Sequence, residues 1–97
     1  MILLKDDRAV VGISENDADI LKVMAHPARL KIVKELMHHK TCNVTQLTEI
    51  LKLPQSTVSQ HLSKLRGTVL RAKRKGLEMH YYVDNPKALQ IIVVLGL

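Results

Sequence analysis

The sequence contains no tryptophan and no phenylalanine, and its aromatic residues stand side by side at Tyr81 and Tyr82. A core without more rings has to be built from aliphatic side chains, and Leu, Ile and Val supply most of them. A single cysteine, Cys42, excludes an internal disulfide framework and fits a reducing cytosol. No apolar run approaches the roughly 20 residues of a bilayer span, so no membrane partner is expected. The apolar opening Met1-Ile2-Leu3-Leu4 stops at Lys5-Asp6-Asp7-Arg8, which is not the pattern of a signal peptide. Internal repeats, low-complexity tracts and interdomain linkers are missing too. The 97 residues therefore read as one domain over 1–97 with one modest core. Also lacking are a Gly-rich phosphate loop, a catalytic carboxylate pair and any grouping of nucleophile, base and orienting acid. No enzymatic activity, catalytic residue, cofactor or small-molecule substrate is expected.

What is present is positive charge in one place. The formal net charge is +6, and Lys64, Arg66, Arg71, Lys73, Arg74 and Lys75 fall within a dozen positions that hold no acid. A localised basic run points to a polyanion, and a solvated charged face is the plainer alternative.

The apolar spacing predicts mostly helix. Ser14 precedes Asp17 at capping-box spacing, and Ile20, Leu21 and Met24 follow on one helical face. His26-Pro27 interrupts that helix, because the residue before proline is pushed out of α geometry, and Pro27 suits the first turn of the next. Leu30, Val33, Leu36 and Met37 then recur at helical spacing as far as His38-His39-Lys40. Asn43 can cap a third helix with Gln46 as its reciprocal partner, and Val44, Leu47, Ile50 and Leu51 form its apolar stripe. After Lys52-Leu53-Pro54 a fourth helix carries Val58, Leu62, Leu65 and Val69.

Leu70 to Arg74 and Leu77 to Val83 read as two strands joined at Lys75-Gly76. Met79, Tyr81 and Val83 alternate with His80 and Tyr82, the period of a half-buried strand. Asn85-Pro86 opens a last helix through Leu95. Its β-branched Ile91-Ile92-Val93-Val94 would also suit a strand. The fold class expected is mainly α with a two-stranded β-wing, in the order α-α-α-α-β-β-α.

The fourth helix carries the sharpest functional signal. Its polar positions Gln55, Ser56, Thr57, Ser59, Gln60, His61 and Ser63 hold side chains that both donate and accept hydrogen bonds, followed by the cation Lys64, and all of these except Ser63 form the expected DNA-contacting set. Ordinary exposed helix faces favour Glu and Lys, whereas Ser and Thr lower helix propensity. A helix fits the major groove of double-stranded DNA, where Gln pairs with adenine and Ser or Thr can address several base edges. His61, three positions after Val58, borders the apolar stripe and is the one most suited to packing. Arg71, Lys73, Arg74 and Lys75 flank the hairpin tip, where cations can follow the DNA backbone or enter a minor groove.

Two stretches resemble the ArsR/SmtB repressors. Leu21-Lys22-Val23-Met24-Ala25-His26-Pro27-Ala28-Arg29-Leu30-Lys31-Ile32 looks like that family's first-to-second-helix segment. Val44-Thr45-Gln46-Leu47 through Leu53-Pro54-Gln55-Ser56-Thr57-Val58-Ser59-Gln60-His61-Leu62 looks like its helix-turn-helix signature. Gly76 and Tyr82 stand where the family's wing has a turn glycine and an aromatic. The resemblance covers about residues 17 to 89. It implies a winged-helix homodimer on an imperfect inverted repeat in a promoter, acting as a cytoplasmic, nucleoid-associated repressor. By the same resemblance, Ser56, Thr57, Ser59, Gln60 and His61 occupy the positions that read bases or touch phosphate.

Metal sensors of that family place paired cysteines at the start of the third helix, since soft metals need several thiolates. Here Asn43-Val44-Thr45 fills those positions, with Cys42 alone beside them. Other members use Asp and His on the last helix, but residues 85–97 contain no Asp, Glu, His or Cys. No metal site is expected. A grouping of His38, His39 and Cys42 is the alternative, although histidines at a helix C-terminus are explained by its dipole. Redox sensing by Cys42 would require an exposed, acidified thiol.

The final helix is apolar on nearly every side, which calls for burial on several sides. A second copy of so short a chain is the natural cover. Ile20, Leu89, Ile92 and Val93 are the expected dimer interface, with Met1–Leu4 as an addition. The competing class of function is a protein-interaction module in which the polar helix meets a protein.

Overall fold

Five helices and a two-stranded antiparallel sheet make up the computed structural model, which describes residues 12–97. The addition of Met1–Leu4 to an interface lies outside the described residues. Helix α1 (Glu15–Met24) begins where the Ser14 hydroxyl accepts from the Asn16 and Asp17 N–H groups. Helix α2 (Pro27–His39) has proline in its first turn and is capped by His26, whose Nδ1 accepts from the Ala28 N–H. Helix α3 (Val44–Leu51) opens on the reciprocal cap of Asn43 and Gln46, both bonds being 2.8 Å long. After a tight turn comes α4 (Gln55–Leu65), then β1 (Leu70–Lys75), β2 (Glu78–Val83) and α5 (Pro86–Val94).

The apolar stripes converge as their spacing requires. Ile20 and Met24 of α1, Ile32, Val33 and Leu36 of α2, Leu47 of α3 and Val58, Leu62 and Leu65 of α4 are almost wholly buried. Ala88 and Ile92 of α5 join the same core, and among the described residues no polar side chain is buried. The β-branched run of α5 is helical because Asn85 accepts from the Lys87 N–H and proline follows it. Asn85 also donates to the Thr68 carbonyl at 3.2 Å, fastening the approach to the wing.

Several expectations are corrected. The fourth helix stops at Leu65, and Val69 reaches the core from the following turn, in which Gly67 has φ +92°. Leu21 is 58% exposed, because the α1 face that packs inward runs through Ile20 and Met24. The strands pair from Leu70↔Val83 to Lys75↔Glu78, so the turn is Gly76-Leu77 rather than Lys75-Gly76. Gly76 takes φ +64°, a left-handed conformation that glycine adopts without a Cβ penalty. At the edge of β2 away from β1, Cys42 and Tyr81 exchange two backbone hydrogen bonds of 3.1 and 2.8 Å, docking the wing on the segment before α3.

Candidate nucleic-acid interface

Helix α4 is seated by its buried residues and offers the remainder. Leu62 and Leu65 sit one and two turns beyond Val58 and fill the core, which fixes the rotation of the helix about its axis. Gln55, Ser56, Gln60, Ser63 and Lys64 are consequently exposed, while Thr57, Ser59 and His61 lie half-buried along the flanks. Ser63 completes the exposed stripe and was absent from the expected set. Its place was readable from the helical spacing with Ser56 and Gln60.

Pro54 precedes α4 and supplies no side-chain cap, whereas Ser14, His26, Asn43 and Asn85 cap the other four helices. The opening N–H groups of α4 therefore remain available to an acceptor, an arrangement suited to a phosphate oxygen.

His61 differs from its neighbours. Its Nδ1 accepts a hydrogen bond from Arg29 Nε at 3.2 Å, and its ring packs against His26 with centroids 4.5 Å apart. Partial burial holds its pKa below the ordinary histidine value, and the nearby His26 and Arg29 charges push the same way. The side chain is tied inward, while Gln55, Ser56, Gln60 and Lys64 face out.

On the wing, strand pairing puts Arg71, Lys73 and Lys75 on one face with Tyr82, His80 and Glu78. Arg74 lies on the opposite face with Met79. The four expected cations are not equivalent. Arg71 is engaged by the Asp84 carboxylate, and the Lys73 ammonium lies 5.1 Å from the centre of the Tyr82 ring. Arg74 and Lys75, nearest the turn, form no ion pair among the described residues, although Glu78 stands opposite Lys75. At the tip, Leu77 is 97% exposed. The Arg71–Asp84 pair escaped sequence reasoning because strand register, rather than helical spacing, brings the two together.

Ile20 and Ile92, two of the four residues expected at a dimer interface, lie inside the single chain. They are 1% and 0% exposed within one protomer, so both pack its core, and Ile20 is also among the residues lining the groove between α1 and α5. Leu89 is half-buried and Val93 is 65% exposed. Besides Leu77 at the wing tip, the large apolar side chains exposed among the described residues are Ile13, Leu21 on α1, Met37 on α2, and Val93, Val94, Leu95 and Leu97 at the C-terminal end. An open groove of about 540 Å³ runs between α1 and α5, with Leu21, Ile91, Val94 and Leu95 along it.

Cys42 is 2% exposed, and burial pushes its thiol pKa up, with the Glu35 carboxylate adding to the rise. That environment is the reverse of an acidified, accessible redox thiol. His38 and His39 are exposed, and His39 pairs with Glu35 at 3.4 Å. Among the described residues, no three His, Cys, Asp or Glu side chains cluster as metal ligands would.

A core-seated helix-turn-helix followed by a basic β-hairpin defines the winged helix-turn-helix class. The model for bacterial regulatory proteins of the arsR family matches residues 26–68. The transcriptional repressor PagR of Bacillus anthracis is 63% identical over 82 residues, spanning 84% of this chain and 83% of PagR. The crystal structure of that PagR superimposes with a TM-score of 0.81 at 57% identity, covering 93% of this chain and 99% of the other. NolR from Sinorhizobium fredii superimposes at 0.80 with 30% identity, covering 98% of this chain and 93% of NolR. The chain belongs to the arsR family of bacterial regulatory proteins, a family of DNA-binding regulators rather than enzymes.

Proposed function

We propose that this protein represses transcription by binding, as a homodimer, an imperfect inverted repeat of double-stranded DNA in a promoter. The observation that carries the reading is the exposed stripe of Ser56, Gln60, Ser63 and Lys64 on a helix whose opposite side is locked into the core. Gln60 and Ser56 address base edges, Thr57 and Ser59 reach the flanking backbone, and Gln55 with the open helix start meets a phosphate. Lys64, Arg74 and Lys75 supply the phosphate charge contacts, with Arg71 and Lys73 held partly in reserve by Asp84 and Tyr82.

The sign of regulation follows PagR, which is named a transcriptional repressor. Dimerisation is supported by the apolar side chains left open between α1 and α5, and it would double the recognition helix to match a two-fold repeat. The partner being DNA, the working compartment is the cytoplasm, on the chromosome. Repression is independent of metal, since neither the start of α3 nor α5 presents a ligand pair.

Selection of bound duplexes from a random pool tests the reading. It should recover one motif with two-fold symmetry whose affinity falls steeply with salt. Recovery of no motif, with affinity insensitive to salt, would favour a protein-interaction module instead.

A further inference from the structure

Three side chains from separate segments meet behind the polar face of α4. Arg29, in the first turn of α2, donates from Nε to His61 Nδ1 at 3.2 Å. It also donates from Nη1 to the Val23 carbonyl, near the end of α1, at 3.3 Å. His26, between those two helices, packs its ring on His61 and caps α2 through Nδ1. One half-buried guanidinium thus ties the end of α1 and the start of α2 to the middle of α4.

We propose that Arg29 is a positioning residue for DNA binding, and that it holds the recognition helix in register only while His61 is neutral. The proposal rests on reading α4 as the recognition helix. A ring nitrogen that accepts from an arginine needs its lone pair, so His61 is the neutral tautomer with its proton on Nε2. Protonation turns Nδ1 into a donor facing a donor and sets imidazolium beside guanidinium. The bond is then lost. Val58, Leu62 and Leu65 still anchor the helix, but nothing polar stops it shifting on that apolar seat. Gln60 adjoins His61 and Lys64 follows it by a turn, so a small shift misaligns both. A binding constellation tolerates only about 0.5 Å of such error.

The surroundings match this arrangement. His26 at the corner and Arg29 on α2 are the titratable groups that act on the ring, and both disfavour a second charge there. From α1 comes the Val23 carbonyl, bonded to the guanidinium rather than to the ring. No ion pair or hydrogen bond among the described residues links a charged side chain of α1 or α3 to His61, and Lys64 of α4 itself is exposed. No acid is therefore in place to stabilise the protonated form.

The test compares wild type, His61→Asn and Arg29→Met on a duplex selected by the wild type, across a pH series at constant ionic strength. Asparagine keeps an acceptor oxygen near the Nδ1 position and cannot be protonated there. Methionine keeps the apolar stem of Arg29 and removes its donors. Wild-type affinity should hold down to about pH 6.5, the ordinary histidine value, and fall about fivefold to tenfold only below it, because a histidine of lowered pKa takes up its proton in more acidic solution. The His61→Asn profile should be flat to within about twofold, and Arg29→Met should bind weakly throughout without a further loss in acid. Thermal unfolding at each pH separates loss of register from loss of fold. Nitrogen NMR of the free protein should show neutral His61 protonated on Nε2.

An acid loss of equal size in His61→Asn, or neutral His61 protonated on Nδ1, would overturn the proposal. So would wild-type affinity that rises in acid while the variant's does not, because the imidazolium would then be gripping phosphate. If the wild type selects no duplex at any pH, the DNA reading itself fails, and the tautomer still decides whether the Arg29 bond exists.

Discussion

The Lys87 ammonium stands 2.7 Å from the Asp17 carboxylate, joining α5 to α1 across 70 positions of sequence. Both groups are well exposed, so the pair adds little stability of its own. Its consequence is geometric, because it borders the α1–α5 groove while leaving Leu21, Val94 and Leu95 uncovered.

Dimerisation through that groove separates two substitutions on one helix. Val94→Asp places a charge where the side chain is 83% exposed, and should give a folded monomer by sedimentation, melting within a few degrees of wild type. Ile92→Asp, at a position with no exposure, should instead lose several kcal/mol or fail to fold, since an unpaired charge enters the core. A wild-type chain that sediments as a monomer at micromolar concentration would refute the dimer.

Much of the architecture is legible in the sequence, because caps and apolar periods are local. Ser14, Asn43 with Gln46, and Asn85 with Pro86 mark helix starts that the structure reproduces. Errors arise where one period can serve two purposes. Val69 continues the Val58–Leu62–Leu65 spacing, yet it lies past the turn at Gly67 and packs from there. Ile20 and Ile92 read as surplus apolar surface only until α1 and α5 are folded onto the same core. Long-range polar partners are beyond such reading. The Arg29–His61 bond spans 32 positions and the Arg71–Asp84 pair 13, and neither has a periodic signature.

Cys42 should be inert in the folded protein. Its burial and raised pKa lower the thiolate fraction, so alkylation near pH 8 should be slow in buffer and complete in denaturant. Rapid alkylation of native protein would contradict this environment. Stoichiometric zinc should likewise leave operator affinity unchanged. A roughly tenfold loss reversed by a chelator would point to His38 and His39, and replacing them would locate the site.

The wing cations should differ in their salt signatures. Arg74→Ala should weaken selected and random duplexes alike and flatten the log-affinity versus log-salt slope by about one unit per subunit. Arg71→Ala should change that slope less, because Asp84 already neutralises it. Equal slope changes in the two variants would mean that the Asp84 pair opens on DNA.

The most direct test of the account is the discrimination lost by Gln60→Ala. Gln60 projects from the middle of the exposed stripe of a helix whose seat Val58, Leu62 and Leu65 fix. Titrating wild type and variant against the selected duplex and a scrambled one, at several salt concentrations, reports base reading apart from phosphate attraction. The account predicts a loss of about 1–3 kcal/mol on the selected duplex, little change on the scrambled one, and an unaltered salt slope. Equal weakening on both duplexes would contradict it, because α4 would then touch DNA without reading its sequence.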